Sequence, residues 1–218
     1  MTQMTALQIT QLNNCNEAHQ RASIGTRLNA MEFGTAVAPS LGTLTLAPVL
    51  HYNLETPYVG TATKCHNAVV LALGATTTVV AGFTQPDFPR ILSVKGNDGN
   101  VTGNCVFTGT DINDDALTET IVASASTEDF GTKAFKTITS VVLPAYAVGA
   151  TESISIGMGD SFGFPLAISN TALVLAADFD GSADGGSVTV GATAALSLYV
   201  MSGTLDAAKD VDLWFIAD

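Results

Sequence analysis

The stretch GTDINDDALTETI, residues 109–121, decides how this chain is read. Thr110 and Ile112 run in, aspartates turn the chain, and Leu117-Thr118-Glu119-Thr120-Ile121 runs back out. Asp and Asn suit such a tip because they tolerate positive φ and hydrogen-bond their own backbone. A β-hairpin is therefore expected here. Its acids Asp111, Asp114, Asp115 and Glu119 pose a choice between a metal site and a solvated turn.

The same grammar recurs from Tyr58 onward. Strands are expected near residues 68–73, 76–82, 90–95, 101–110, 117–124, 134–143, 152–158, 172–177, 187–191, 195–201 and 211–216. Turns are expected at KGNDGN (95–100), NDD (113–115), GMGDSFG (157–163) and DFDGSADGG (178–186). Short strands punctuated by Gly/Asp turns, without helices between them, predict an all-β fold of the β-sandwich or jelly-roll kind. Residues 1–57 read differently. Leu7, Leu12, Cys15, Ala18, Ala22 and Leu28 fall at helical spacing, and residues 33–57, rich in Gly, Pro, Ala and Thr, read as an extended arm. The expected division is a helical and extended arm over 1–57 and a β-domain over 58–218.

Composition narrows the function. The chain has 218 residues, 47% hydrophobic and only 13% charged, with a formal net charge of −12. Ser and Thr must supply much of the polar surface, a pattern that suits extracellular or viral β-structures. Residues 137–218 hold Lys209 as their single basic residue against nine acids. Such a surface repels phosphate backbones and anionic lipid, so neither nucleic acid nor membrane is an expected partner. Cys15, Cys65 and Cys105 are odd in number and widely spaced, which predicts free buried thiols. The first twenty residues carry no basic side chain, so no export signal is read there. Residues 65–86 lack any charge, but Gly74, the threonines 76–78 and Gly82 break them below the ~20 continuous apolar residues of a membrane span. Two buried strands are expected instead.

Chemical motifs are weak. A calcium loop needs oxygens at positions 1, 3 and 5, Gly at 6 and an acid at 12. From Asp111, Asp115 fits position 5, but Ala116 and Val122 fail at 6 and 12. From Asp180, Asp184 and Gly185 fit positions 5 and 6, and Gly191 fails at 12. Asp111, Asp115, Asp180 and Asp184 thus remain marginal ligands, and no metal or other cofactor is expected. GDSFG (159–163) matches a nucleophile elbow, yet Pro165 opposes the required helix and no His follows Ser161. A His66, Asp111, Ser161 order survives formally, but a tight glycine turn accounts for the motif. Gly157, Gly159 and Gly163 miss a dinucleotide fingerprint by one residue. Cys65-His66 and the Cys15/His19 pair each offer two ligands, too few for zinc. Trp214 and Phe215 read as a last strand closing the core.

Three stretches taken together carry a resemblance. QPDFPRILSVKGNDGNVTGNCVFTGTDINDDALTETI (85–121), GTKAFKTITSVVLPA (131–145) and ISIGMGDSFGFPLAI (154–168) resemble a recurrent module of tailed-bacteriophage virion structural proteins. That module shows a PD-x-PR strand, a TGN…GTD…TET hairpin, a KAFKT strand and a G-x-GD-x-x-G-x-P turn in this order. The resemblance implies a non-enzymatic particle component made in the bacterial host cytoplasm. Of the roles it allows, an acidic, Thr-rich β-domain with an apolar arm fits best an outer capsid decoration, or cement, protein. Such a protein would be a homotrimer that clamps neighbouring major capsid subunits. The arm and its junction, with Leu7, Leu12, Leu28, Phe33, Leu44, Leu46, Tyr52 and Tyr58, are the expected contact residues. A tail, fibre or baseplate component that binds host glycans through the aromatic and acidic loops near 160–185 is the alternative. A serine hydrolase using Ser161 is the remote one.

Overall fold

The computed structural model describes residues 48–146 and 151–217. The chain divides into two units, Met1–Val49 and Leu50–Asp218, and the second is all-β. Its strands open with β1 (Val49–Asn53), β2 (His66–Val70), β3 (Thr77–Val79) and β4 (Arg90–Gly96). The hairpin of β5 (Thr102–Thr110) and β6 (Ala116–Ser124) follows, then β7 (Glu128–Phe135), β8 (Thr137–Leu143) and the long β9 (Ser153–Gly163). β10 (Val174–Phe179), β11 (Ser182–Ala183), β12 (Ser187–Thr189), β13 (Leu198–Val200) and β14 (Val211–Ile216) complete it. Among the described residues only two three-residue 3-10 turns, at Thr171–Leu173 and Ala194–Leu196, are helical.

The strands form three sheets. One has the order β1-β14-β10-β11, one β3-β8-β5-β6, and the largest runs β12-β13-β9-β4-β7 with β2 also paired to β9. Period-two burial sorts each face. On β5 and β6, Cys105 lies opposite Ile121 and Phe107 opposite Glu119, all four buried. Val122, the residue after Ile121, points out and is 55% exposed. These residues share a core with Leu92 and Val94 of β4 and Ile154, Ile156 and Met158 of β9. Each such large apolar side chain contributes about 1.5–3 kcal/mol on full burial. A second core gathers Phe162, Phe164, Tyr199, Leu213 and Phe215, so β9 serves both.

Several expectations are corrected. The strand expected over 134–143 is two strands, because the chain changes sheets at Lys136: β7 pairs with β4 and β8 with β5. Residues 49–53, read as extended arm, form β1 beside β14. GMGDSFG is not a turn but the second half of β9. Cys65 and Cys105 are free and fully buried, as read, and burial pushes both thiols up to about 12. Cys15 lies outside the described residues, as does the helical reading of the N-terminal segment.

Candidate interaction surface

One buried cation organises the middle of β9. Opposite β4 the register slips: Arg90 faces Phe162 while Leu92 faces Met158. Gly159, Asp160 and Ser161 therefore bulge against Ile91 alone. Arg90 fills the space behind the bulge with its side chain wholly buried. Its Nε donates to the Gly159 carbonyl (2.9 Å) and Nη2 to Asp160 Oδ1 (2.8 Å). Nη1 donates to the Tyr58 carbonyl (2.7 Å) and Asp87 Oδ1 (3.1 Å), and the guanidinium lies 4.7 Å from the Phe162 ring centre. The Tyr58 and Gly60 amides donate to Asp87 and Asp160 in turn. PDFPR and GMGDSFG thus meet at one point. The glycines permit close approach rather than a turn. A Cβ on Gly157 would strike the Thr61 carbonyl, and one on Gly163 the Ala134 side chain.

This geometry bears on the hydrolase candidates. Ser161 is buried and faces Val200 of β13. His66 lies opposite Ile156, five positions away along β9, and its ring packs edge-on against Phe83. Asp111 sits on the hairpin of a different sheet. The structure does not bring the three together.

The hairpin acids are turn-makers, but not all are solvated as expected. Asp111 and Glu119 are buried at 7% and 8% exposure. Asp111 Oδ1 accepts from the Asn113 and Asp115 amides (2.8 and 3.1 Å), which closes the loop around Asp114 at φ 66°. Lys136 pairs with the exposed Asp114 at 2.7 Å. Glu119 Oε1 accepts from the Thr132 amide and hydroxyl; its other oxygen is buried without a partner among the described residues. Asp180 takes a left-handed turn position, φ 56°, beside Lys209 at 3.8 Å. Among the described residues no group of three or more His, Cys, Asp or Glu is placed to hold a metal ion.

Among the described residues Asp184 is the most heavily bonded carboxylate. It accepts from the Tyr199 hydroxyl (2.6 Å), the Ser202 hydroxyl (2.6 Å) and the amides of Ser202, Gly203 and Gly186. It borders a cavity of about 170 Å³ between β10, β12 and Tyr199. Partial burial pushes its pKa up, yet these hydrogen bonds outweigh burial and hold it below the usual carboxylate value. A depressed folded pKa contributes stability above the unfolded value, about 3.9, that is lost as pH falls through the folded one. Acid unfolding of Asp184→Asn should therefore show a weaker loss of stability below about pH 4 than the parent chain. Identical acid slopes in urea titrations at pH 3 and pH 6 would remove this assignment.

Of the expected contact residues, Leu7, Leu12, Leu28, Phe33, Leu44 and Leu46 lie outside the described residues. Tyr52 packs against the second core, where burial raises its hydroxyl to about 12. Tyr58 is 45% exposed, with the Lys64 ammonium 4.1 Å from its ring centre. Phe162 and Phe164, in the loops assigned to glycans, are fully buried.

The surface that stands out was read from sequence as two buried strands. Residues 65–86 do contain β2 and β3, but both are short and neither holds a fully buried residue. Gly74 and Gly82 take positive φ, 64° and 83°, and end each strand after a few residues. Cys65 and Leu71 anchor the segment in the first core, with Val69, Val79 and Phe83 packed behind them. Alternation then turns Val70, Leu73 and Val80 outward at 61%, 69% and 70% exposure. Leu73 bridges to Tyr146 in the charge-free stretch that follows β8. β3 pairs with β8 and ends its sheet. The result is an uncharged strip of chain that exposes Val70 at the end of β2, Leu73 in the connection and Val80 just past the edge strand β3, with no acid between Lys64 and Asp87. Exposed apolar side chains and an open strand edge both favour protein contact.

No family model matches this chain, and neither a curated protein nor a solved structure does.

Proposed function

We propose that this chain is a non-enzymatic structural protein of a tailed-bacteriophage particle, an outer capsid decoration protein that clamps neighbouring major capsid subunits. The observation that carries the reading is the strip of Val70, Leu73 and Val80 on an otherwise acidic chain. A protein of net charge −12 associates with copies of itself at lowest electrostatic cost where it carries no charge. An all-β unit with β5, β6 and β8 packed over β4 and β9 suits a sandwich of jelly-roll character, a rigid block for a shell exterior. The meeting of PDFPR and GMGDSFG at Arg90 gives the joint presence of these two motifs a physical reason, since each supplies part of one buried network. In this reading the β-unit forms a homotrimer through the strip, and the residues that precede β1 reach onto adjacent capsid subunits. The test is co-sedimentation of the full chain with isolated capsids free of decoration. Saturable binding at a fixed ratio to the shell protein is expected. Protein left wholly in the supernatant while it binds tails or host cells would replace this reading with a tail or fibre role.

A further inference from the structure

A second surface lies on the outer face of the β1-β14-β10 sheet, and it is chemically unlike the apolar strip. Alternation along β14 sends Val211, Leu213 and Phe215 into the second core and Asp212, Trp214 and Ile216 outward. On neighbouring β1 the His51 ring stacks on Trp214, 4.8 Å between centres and 9° from parallel. His51 Nε2 lies 2.6 Å from Asp212 Oδ1, and Asn53 Nδ2 donates to the same oxygen at 2.8 Å. On the other flank Trp214 faces Ala176 of β10, and Asp212 faces Asp178. Ala176 is exposed, so the residue paired with Trp214 on that side is a small one.

We propose that this face binds a neutral carbohydrate, with Trp214 as the stacking platform and Asp212, Asn53 and Asp178 as the hydroxyl-reading groups. A pyranose offers an apolar face of C–H groups rimmed by hydroxyls. Its complement is an aromatic ring with fixed planar acceptors and donors beside it. Trp214 is held by His51, and Asp212 is oriented by His51 and Asn53 through one oxygen. The Asp212 side chain keeps 17% exposure, and both of these contacts go to Oδ1, which leaves Oδ2 as the oxygen that would accept from a sugar hydroxyl. Two carboxylates on one small face, within a chain of net charge −12, exclude phosphates, sialic acids and uronic acids. The inference rests on this face alone and does not depend on the particle reading.

Trp214 is the single tryptophan of the chain, so its fluorescence reports on the site directly. The full chain is titrated with neutral hexoses, N-acetylhexosamines, their α- and β-linked disaccharides and dextran, with glucuronate as the acidic control. At least one neutral sugar should give a saturable spectral change, and glucuronate none. Ala176→Leu, an exposed change that fills the open flank of the indole, should weaken binding at least tenfold, and Asp212→Asn should do so as well. Unchanged melting curves would show both variants folded. No saturable change with any neutral sugar, equal response to glucuronate, or full binding by folded Ala176→Leu would each overturn the proposal and leave the His51–Trp214 stack as a clamp for β1.

Discussion

Replacing Arg90 by alanine should lower the stability of the β-unit by about 3 kcal/mol, from the roughly 3–5 kcal/mol range typical when one partner of a buried ion pair is removed. The lower end applies because Asp160 keeps 39% side-chain exposure and can rehydrate. Asp87, at 12%, has less access to water and would be left beside it as a second unneutralised carboxylate. The carbonyls of Tyr58 and Gly159 would lose their donors, and Phe162 its stacked partner. Arg90→Lys should recover little of the loss, since one ammonium cannot reach acceptors spread around a planar guanidinium. Urea denaturation of the three proteins measures this. An Arg90→Ala cost below about 1 kcal/mol, the size of a surface ion pair, would refute the account of the bulge.

Phe107→Ala should cost about 3–5 kcal/mol, as for other large core aromatics cut to alanine. Phe107 is fully buried and meets Phe135 edge-to-face, 6.4 Å between ring centres. Val122→Ala, on the outward face of the adjacent strand, should stay within about 0.5 kcal/mol. The contrast tests register. A slip of β6 by one residue against β5 would turn Val122 into the core in place of Ile121, making Val122→Ala costly as well.

The hairpin of residues 109–121 was legible because turn chemistry is local. Asp111 closes the loop with its own neighbours, and no distant residue is needed to place it. The all-β class followed from many such local signals. What sequence reading missed depends on partners far along the chain. The glycines of GMGDSFG look like a turn, and only the approach of Thr61 and Ala134 explains them as strand residues. Residues 134–143 look like one strand because nothing local marks the change of sheet at Lys136. Val70, Leu73 and Val80 read as core because apolar alternation says which residues share a face, not whether another layer covers it. Trp214 followed the same logic in reverse, assigned to the core when its strand turns it out beside His51. Of the expected contact residues, Tyr52 belongs to the core and Tyr58 to the Arg90 network.

The central claim is that the uncharged strip joins copies of this chain. Size-exclusion chromatography with light scattering, on the full chain and on a Leu73→Glu/Val80→Glu variant, tests it most directly. The account predicts a particle of three 22.4 kDa chains for the parent and a single folded chain for the variant, since the added carboxylates set like charges against each other across the contact. A parent chain that runs as a monomer at every concentration, or a variant that remains trimeric, would contradict it.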